Sequence, residues 1–181
     1  MSEYTVAQAQ ADMRAGYLFG APGVAASAVA WLAAAAVALT ATPKAAMWTL
    51  LVGGAFIHPA GVLLTRALGS PGKHARGNPM GGLAMEGTIW LLAGIVIAFG
   101  MQALRLEWFF PAMLLLIGGR YLTFQTIYGM RIYWVLGAVL CLAGISLALV
   151  RASVPASAMA GGLLELAFAA GIYARARRSA A

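Results

Sequence analysis

The chain has 181 residues, of which 62% are hydrophobic and only 9% are charged, and its formal net charge is +7. A soluble domain carries about 25% charged residues, so this composition excludes a water-soluble globule and predicts a protein that crosses a membrane several times. The basic residues lie mostly at the ends of apolar runs, where they contact lipid headgroups and set topology. That placement excludes a nucleic-acid partner, and nothing in the sequence indicates a cofactor.

The first segment, 1–16, contains good helix formers together with Asp12 and Arg14. It predicts either a short helix at the cytoplasmic interface or a frayed tail. Six apolar runs follow, and each has the roughly 20 residues that a spanning helix needs. They cover residues 17–41, 47–68, 80–101, 108–128, 132–150 and 155–174. Backbone groups in lipid must bond internally, so the 17–174 region is predicted to be an all-α bundle of six transmembrane helices, followed by a basic cytoplasmic tail, 175–181.

Lysine and arginine in the connections predict the orientation of the bundle. One side would carry eight of them: Arg14, Arg66, Lys73, Arg76, Arg131, Arg175, Arg177 and Arg178. The other side would carry three: Lys44, Arg105 and Arg151. This difference places both termini and the longest loop, 70–79, in the cytoplasm. Size and composition are typical of small bacterial inner-membrane proteins, so the bacterial plasma membrane is the expected location.

A repeated pattern suggests three helical hairpins. Trp90 and Trp134 are 44 residues apart, and so are Pro111 and Pro155, each followed by alanine. Transporters are often built from such repeats around a site near the bilayer midplane. Chance matching in a chain rich in alanine, leucine and glycine explains the same spacing, and the sequence does not decide between the two interpretations.

Four ionisable residues lie within the apolar runs, each on a different predicted helix: His58, Glu86, Arg120 and Glu165. A charge at the bilayer centre costs about 2.5–3.5 kcal/mol on insertion scales, so such residues usually face the bundle interior and find partners. At 1.5 Å rise per residue all four lie about 9–15 Å from the predicted cytoplasmic ends. They could form one polar layer, in which Glu86 or Glu165 neutralises Arg120.

The helix of Arg120 also carries Gln125, and glycine pairs precede His58, Arg120 and Glu165. These pairs are Gly53-Gly54 before His58, Gly118-Gly119 before Arg120 and Gly161-Gly162 before Glu165. Glycine lets a neighbouring helix approach closely. We therefore expect His58, Glu86, Arg120, Gln125 and Glu165 to line a path for a small solute, a proton or another ion.

Three classes of function fit these features. A small transporter or channel would bind an anionic or zwitterionic group at the layer, or relay protons between His58 and a glutamate. A non-catalytic assembly or accessory subunit would use the buried charges to fix helix register. An intramembrane enzyme ranks third, because two histidines and one cysteine support no metal hydrolase. Membrane lipids are the expected partners, and a homodimer would widen the narrow path that so short a chain can enclose.

Overall fold

The computed structural model describes residues 4–180, and this part of the chain is built from α-helices, two short 3₁₀ turns and no strand. The helices are α1 (Val6–Tyr17), α2 (Ala21–Thr40), α3 (Pro43–Ala67), α4 (Pro79–Leu104), α5 (Phe109–Tyr128), α6 (Ile132–Leu149) and α7 (Val154–Ala180). The all-α prediction is therefore confirmed. Residues 1–3 and 181, which belong to the predicted terminal segments, lie outside the described residues.

Five stretches of helix are long and apolar enough to cross a membrane: Val6–Thr40, Pro43–Ala67, Pro79–Leu104, Ile132–Leu149 and Val154–Ser179. The first of these includes α1 and α2. The helix missing from this set is α5, which has 20 residues but carries Arg120, Gln125 and two threonines. The structure thus has six long helices after α1, and length and composition identify five of them as spans.

Capping residues explain where the helices depart from the predicted runs. Helix α3 begins at Pro43 instead of residue 47, because Thr42 accepts a hydrogen bond from the Ala45 amide and proline suits the first helical turn. Asn78 caps α4 in the same way, just before Pro79. At the other end of the chain α7 continues to Ala180, so the predicted basic tail is helical as far as it is described.

A sharp break separates α1 from α2. Leu18, Phe19 and Gly20 have φ values of 50°, 59° and 84°. These values lie in the left-handed region, which residues other than glycine rarely adopt. The backbone carbonyl of Phe19 accepts a hydrogen bond from the Tyr133 hydroxyl at 2.7 Å, which fixes this turn to α6. The break makes α2 begin at Ala21 instead of residue 17.

The bundle is built around two packed groups. Helix α2 lies between α3 and α7, whereas α5 packs mainly against α6 and, less extensively, against α4. Helix α7 contacts α6 less than it contacts α2, so the third predicted hairpin is packed differently from the first two. Trp90 and Trp134, the tryptophans of the predicted repeat, are both exposed, at 78% and 53%. The three-hairpin repeat is not confirmed.

Helix α1, the segment 69–78 and the turn between α5 and α6 meet at one end of the bundle, which we call the α1 end. The Gly72 amide donates to the Gly16 carbonyl at 2.9 Å, and the Gln10 side chain donates to the Thr126 carbonyl at 2.8 Å. Three of the segments predicted to be cytoplasmic therefore share one end. The side of the membrane that this end faces stays a prediction from the positive-inside count.

Candidate functional site

The five predicted site residues do not form one contact layer. His58 and Glu86 are exposed on α3 and α4, Arg120 and Gln125 are half-buried on α5, and Glu165 is fully buried on α7. Their predicted role in a solute or ion path stays a prediction. Within residues 4–180 none of the five is hydrogen-bonded or ion-paired to another, so the polar groups divide into an arginine site and a glutamate site.

The arginine site lies between α5 and α4. Arg120 Nη2 donates a hydrogen bond to Thr88 Oγ1 at 3.0 Å, and the guanidinium carbon lies 5.6 Å from the centre of the Phe124 ring. Arg120 Nε is buried and has no hydrogen-bond partner. The guanidinium thus contacts a hydroxyl and an aromatic face, both of which leave its charge uncompensated.

A direct ion pair between Arg120 and a glutamate, one of the contacts that the sequence predicts, is absent from the described residues. Among residues 4–180, the one ion pair within 4.0 Å joins Arg105 Nη1 to Glu107 Oε1 at 3.4 Å, and both side chains are partly exposed. Glu86 precedes Thr88 by two positions, or about 200° around α4 at 3.6 residues per turn. Because Thr88 faces Arg120, Glu86 faces away from it.

The glutamate site lies in the bundle interior, next to α2 and α5. Glu165 is 0% exposed, and neither of its carboxyl oxygens has a hydrogen-bond partner. The hydroxyl groups of Ser27 on α2 and Tyr121 on α5 lie near the carboxyl group without meeting the geometric limits of a hydrogen bond. Tyr121 directly follows Arg120, so the two side chains leave α5 in directions about 100° apart.

Close helix approach at glycines, which the sequence predicts, is confirmed. A Cβ atom built on Gly118 would lie 2.8 Å from the carbonyl oxygen of Gly137 on α6. A Cβ atom on Gly161 would lie 2.8 Å from the Trp31 ring, and one on Gly53 would lie 3.1 Å from Ala30 Cβ. Gly118 therefore lets α6 approach α5 closely, and Gly161 lets α7 approach Trp31 on α2.

Sequence reasoning missed a cluster of tyrosines between Glu165 and the α1 end. The Tyr121 and Tyr133 rings are stacked with centroids 6.1 Å apart, and Tyr133 and Tyr128 are stacked at 5.3 Å. The signal was present in part, because Tyr121 and Tyr128 are seven residues apart and so share one face of α5. Tyr133 lies on α6, and no spacing in the sequence indicates that it joins this cluster.

The α1 end is closed by polar contacts that the sequence did not predict. Asp12 Oδ2 accepts hydrogen bonds from the Ala75 amide at 2.9 Å and from Asn78 Nδ2 at 2.7 Å. His74 is half-buried, and its Nδ1 lies 2.9 Å from the Tyr17 hydroxyl oxygen. Helix α1 is thus docked on the 69–78 segment.

Metal binding has no support in the described residues, where no group of three or more His, Cys, Asp or Glu side chains could hold an ion. The arrangement consists instead of a cation, a sealed carboxyl group and hydroxyl groups inside a helical bundle. Such groups can bind an anion or exchange a proton, but they form no recognisable catalytic constellation.

The five apolar helices, with large hydrophobic side chains exposed along α3 and α4, are those of a membrane protein. Comparison with known proteins identifies the family of the chain, but it assigns no function to that family. The chain belongs to a family of unknown function, DUF7010, whose model matches residues 6–175. Neither a curated protein nor a solved structure matches the chain.

Proposed function

We propose that this chain is a small membrane transporter or channel that binds the negatively charged group of a small solute at Arg120. The observation that carries the proposal is the state of this guanidinium. It is half-buried between α5 and α4, and no carboxylate of the described residues lies within 4.0 Å of it. An ionised group inside a membrane protein is costly and usually marks a pathway or a ligand site.

The chemistry of the guanidinium selects the class of ligand. Arginine has five N–H donors in a planar fork, and the hydrogen bond to Thr88 uses one of them. The fork matches carboxylate and phosphate groups, which it can bind through two parallel hydrogen bonds. A small carboxylate or phosphate, alone or as part of a zwitterion, is therefore the ligand that this site would bind best.

The proposal includes α5 as a sixth membrane helix. Ten of its residues are buried, among them Phe109, Leu114 and Tyr128, and α4 and α6 pack against it. A helix shielded by its neighbours can cross a bilayer with a polar residue on its inner face. Six crossings also place both termini on one side of a bacterial plasma membrane, as the positive-inside count requires.

Transport assays on reconstituted protein test the proposal. Vesicles containing the purified full chain are assayed for uptake of labelled acetate, phosphate and glutamate, with Arg120→Met as the test variant. Arg131→Met is the matched control, because Arg131 is an exposed cation at a helix end. We expect uptake of at least one anion by the wild type and the control, and its loss in Arg120→Met. Equal uptake by Arg120→Met, or none by the wild type, would overturn the proposal.

A second candidate function is an accessory subunit that assembles through its apolar surface. A groove of about 750 Å³ lies between α2 and α3, and small residues such as Ala26, Ala30, Ala33 and Gly53 form part of its wall. Small residues let a further helix approach closely in the membrane, so the groove favours a second copy of the chain or a partner helix.

Cysteine cross-linking separates assembly from a monomer. In a Cys141→Ala background, Val29→Cys places a thiol in the groove, and Val96→Cys places one on the exposed face of α4. Assembly of two copies through the groove predicts an oxidised dimer for the Val29 variant and a monomer for the Val96 control. Monomers in both variants would argue against a homodimer at this surface.

A further inference from the structure

We propose that Glu165 is a proton-binding site, and that the ion coupled to transport by this chain is the proton. The inference deepens the proposed function, since it names the coupling ion, but the site itself is independent of Arg120. Its starting point is a carboxyl group that is 0% exposed and has no hydrogen-bond partner on either oxygen. Buried polar atoms without partners are rare, and each one requires an explanation.

The unpartnered polar atoms of the bundle concentrate along α2 and α7. Six buried side-chain atoms in the described residues lack a hydrogen-bond partner, and four of them are Trp31 Nε1, Ser157 Oγ and the two oxygens of Glu165. Ser157 and Glu165 lie one turn on either side of Gly161, and Gly161 packs against the Trp31 ring. Positions four residues apart share one face of a helix. These groups therefore form a polar line along the buried face of α7.

The line continues from Glu165 toward the α1 end. The Tyr121 ring lies near the carboxyl group and is stacked on Tyr133, whose hydroxyl donates to the Phe19 carbonyl. Tyrosine hydroxyls both donate and accept hydrogen bonds. Polar groups thus run from the outer part of α7, through Glu165, to the turn that joins α1 to α2.

The groups that face Glu165 make a permanent ionic state costly. Helix α2 presents Ser27, α5 presents the titratable Tyr121, and α6 contributes Tyr133 behind it. No cation of residues 4–180 lies within 4.0 Å of the carboxyl group. An ionised carboxylate without a partner in a low-dielectric interior is strongly disfavoured relative to its neutral form. Glu165 therefore holds a proton at rest and gives it up when a pathway reaches the site.

The choice of ion follows from the number of ligands. A calcium ion takes six to eight oxygen ligands and magnesium demands a near-octahedral set, whereas Glu165 is accompanied by two hydroxyl groups. A proton needs one oxygen. On binding, an O–H bond forms at a Glu165 oxygen as the O–H bond of the donating hydronium ion breaks and leaves water. On release the reverse occurs, and the carboxylate regains its negative charge.

Infrared difference spectroscopy on the purified full chain tests the site directly. The C=O stretching band of a protonated carboxylic acid is followed through a series of buffers around neutral pH. Wild-type protein should show a band that titrates. Glu165→Gln should lose this band, and Glu165→Asp should keep one that titrates at a shifted pH. Glu86→Gln is the matched control, because Glu86 is an exposed carboxylate on α4, and it should leave the band unchanged.

A wild-type band that never changes with pH, or one that survives in Glu165→Gln, would overturn the proposal. If Glu165→Gln does not fold, the titration of the wild-type band and its shift in Glu165→Asp still test whether Glu165 binds the proton. Proton flux into vesicles under an imposed potential provides the second measurement, and we expect Glu165→Gln to lose it. Anion uptake without any titration of Glu165 would sink this inference and leave the proposed function standing. Titration of Glu165 without anion uptake would sink the proposed function and the coupling, and would leave only the proton-binding site standing.

Discussion

The guanidinium of Arg120 donates a hydrogen bond to Thr88 Oγ1 at 3.0 Å and so joins α5 to α4 within the bundle. Thr88 in turn donates to the Ala84 carbonyl at 2.9 Å, which orients its oxygen toward the arginine. A hydroxyl group that binds a cation without neutralising it keeps the charge in place and available to a ligand. This relationship makes Thr88 the residue that positions Arg120.

Replacing Thr88 by valine should destabilise the protein by about 1–3 kcal/mol, because Nη2 of the half-buried Arg120 guanidinium would lose its acceptor. Thr88→Ser keeps the hydroxyl and should stay close to wild type. Denaturant unfolding in detergent measures the difference. In the Arg120→Met background the same valine substitution should cost much less, since the two residues are coupled. Equal costs in both backgrounds would show that the hydrogen bond contributes nothing.

Replacing Gly118 by alanine should destabilise the α5–α6 pair by about 1–3 kcal/mol, the usual range for overpacking. The added Cβ would lie 2.8 Å from the Gly137 carbonyl oxygen and 2.7 Å from Cys141 Sγ. Gly119→Ala is a control one residue away, where a Cβ meets nothing within 4 Å. It should be neutral or stabilising by about 0.5–1 kcal/mol. Thermal unfolding of the two variants gives the comparison, and a reversed order would contradict the close helix approach.

Replacing Asp12 by alanine should release α1 from the 69–78 segment without unfolding the bundle. The substitution removes the acceptor of the Ala75 amide and of the Asn78 side chain. Hydrogen exchange followed by mass spectrometry should show faster exchange across Val6–Tyr17 and unchanged protection in α6. Ala11→Ser, at an exposed position of the same helix, should leave exchange as in the wild type. Unaltered exchange in Asp12→Ala would mean that apolar contacts alone hold α1.

Reporter fusions should place both ends of the chain and the 70–79 loop in the cytoplasm. A fluorescent protein fused after residue 181, or inserted in the loop, should be fluorescent, and alkaline phosphatase at the same points should be inactive. A phosphatase fusion in the segment between α4 and α5, near Arg105, is the positive control for the outer side. An active phosphatase at the C-terminus would contradict the crossing of α5 or the assigned orientation.

The helices could be predicted because their approximate length is set by the bilayer, but their starts were less accurate, since α3 begins at Pro43 after the Thr42 cap instead of at residue 47. The direction in which each side chain points could not be predicted from the sequence. Helix α4 is apolar on all faces, so no periodic pattern distinguishes the side of Glu86 from that of Thr88. Its rotation is fixed by packing against α5, which depends on residues distant in sequence. For the same reason the sequence suggested one charge layer, whereas packing separates Arg120 from Glu165 on different sides of α5.

The contact between Gly118 and Gly137 has a consequence for how the bundle can move. Where two backbones meet directly, no side chain lies between the helices to change its rotamer and absorb a displacement. The α5–α6 pair is therefore expected to behave as a stiff unit on the timescale of side-chain motion. Under the proposed function, any opening that admits a solute would take place in helices that pack through side chains. Helix α4, whose main helix partner is α5, is expected to be the one that moves most.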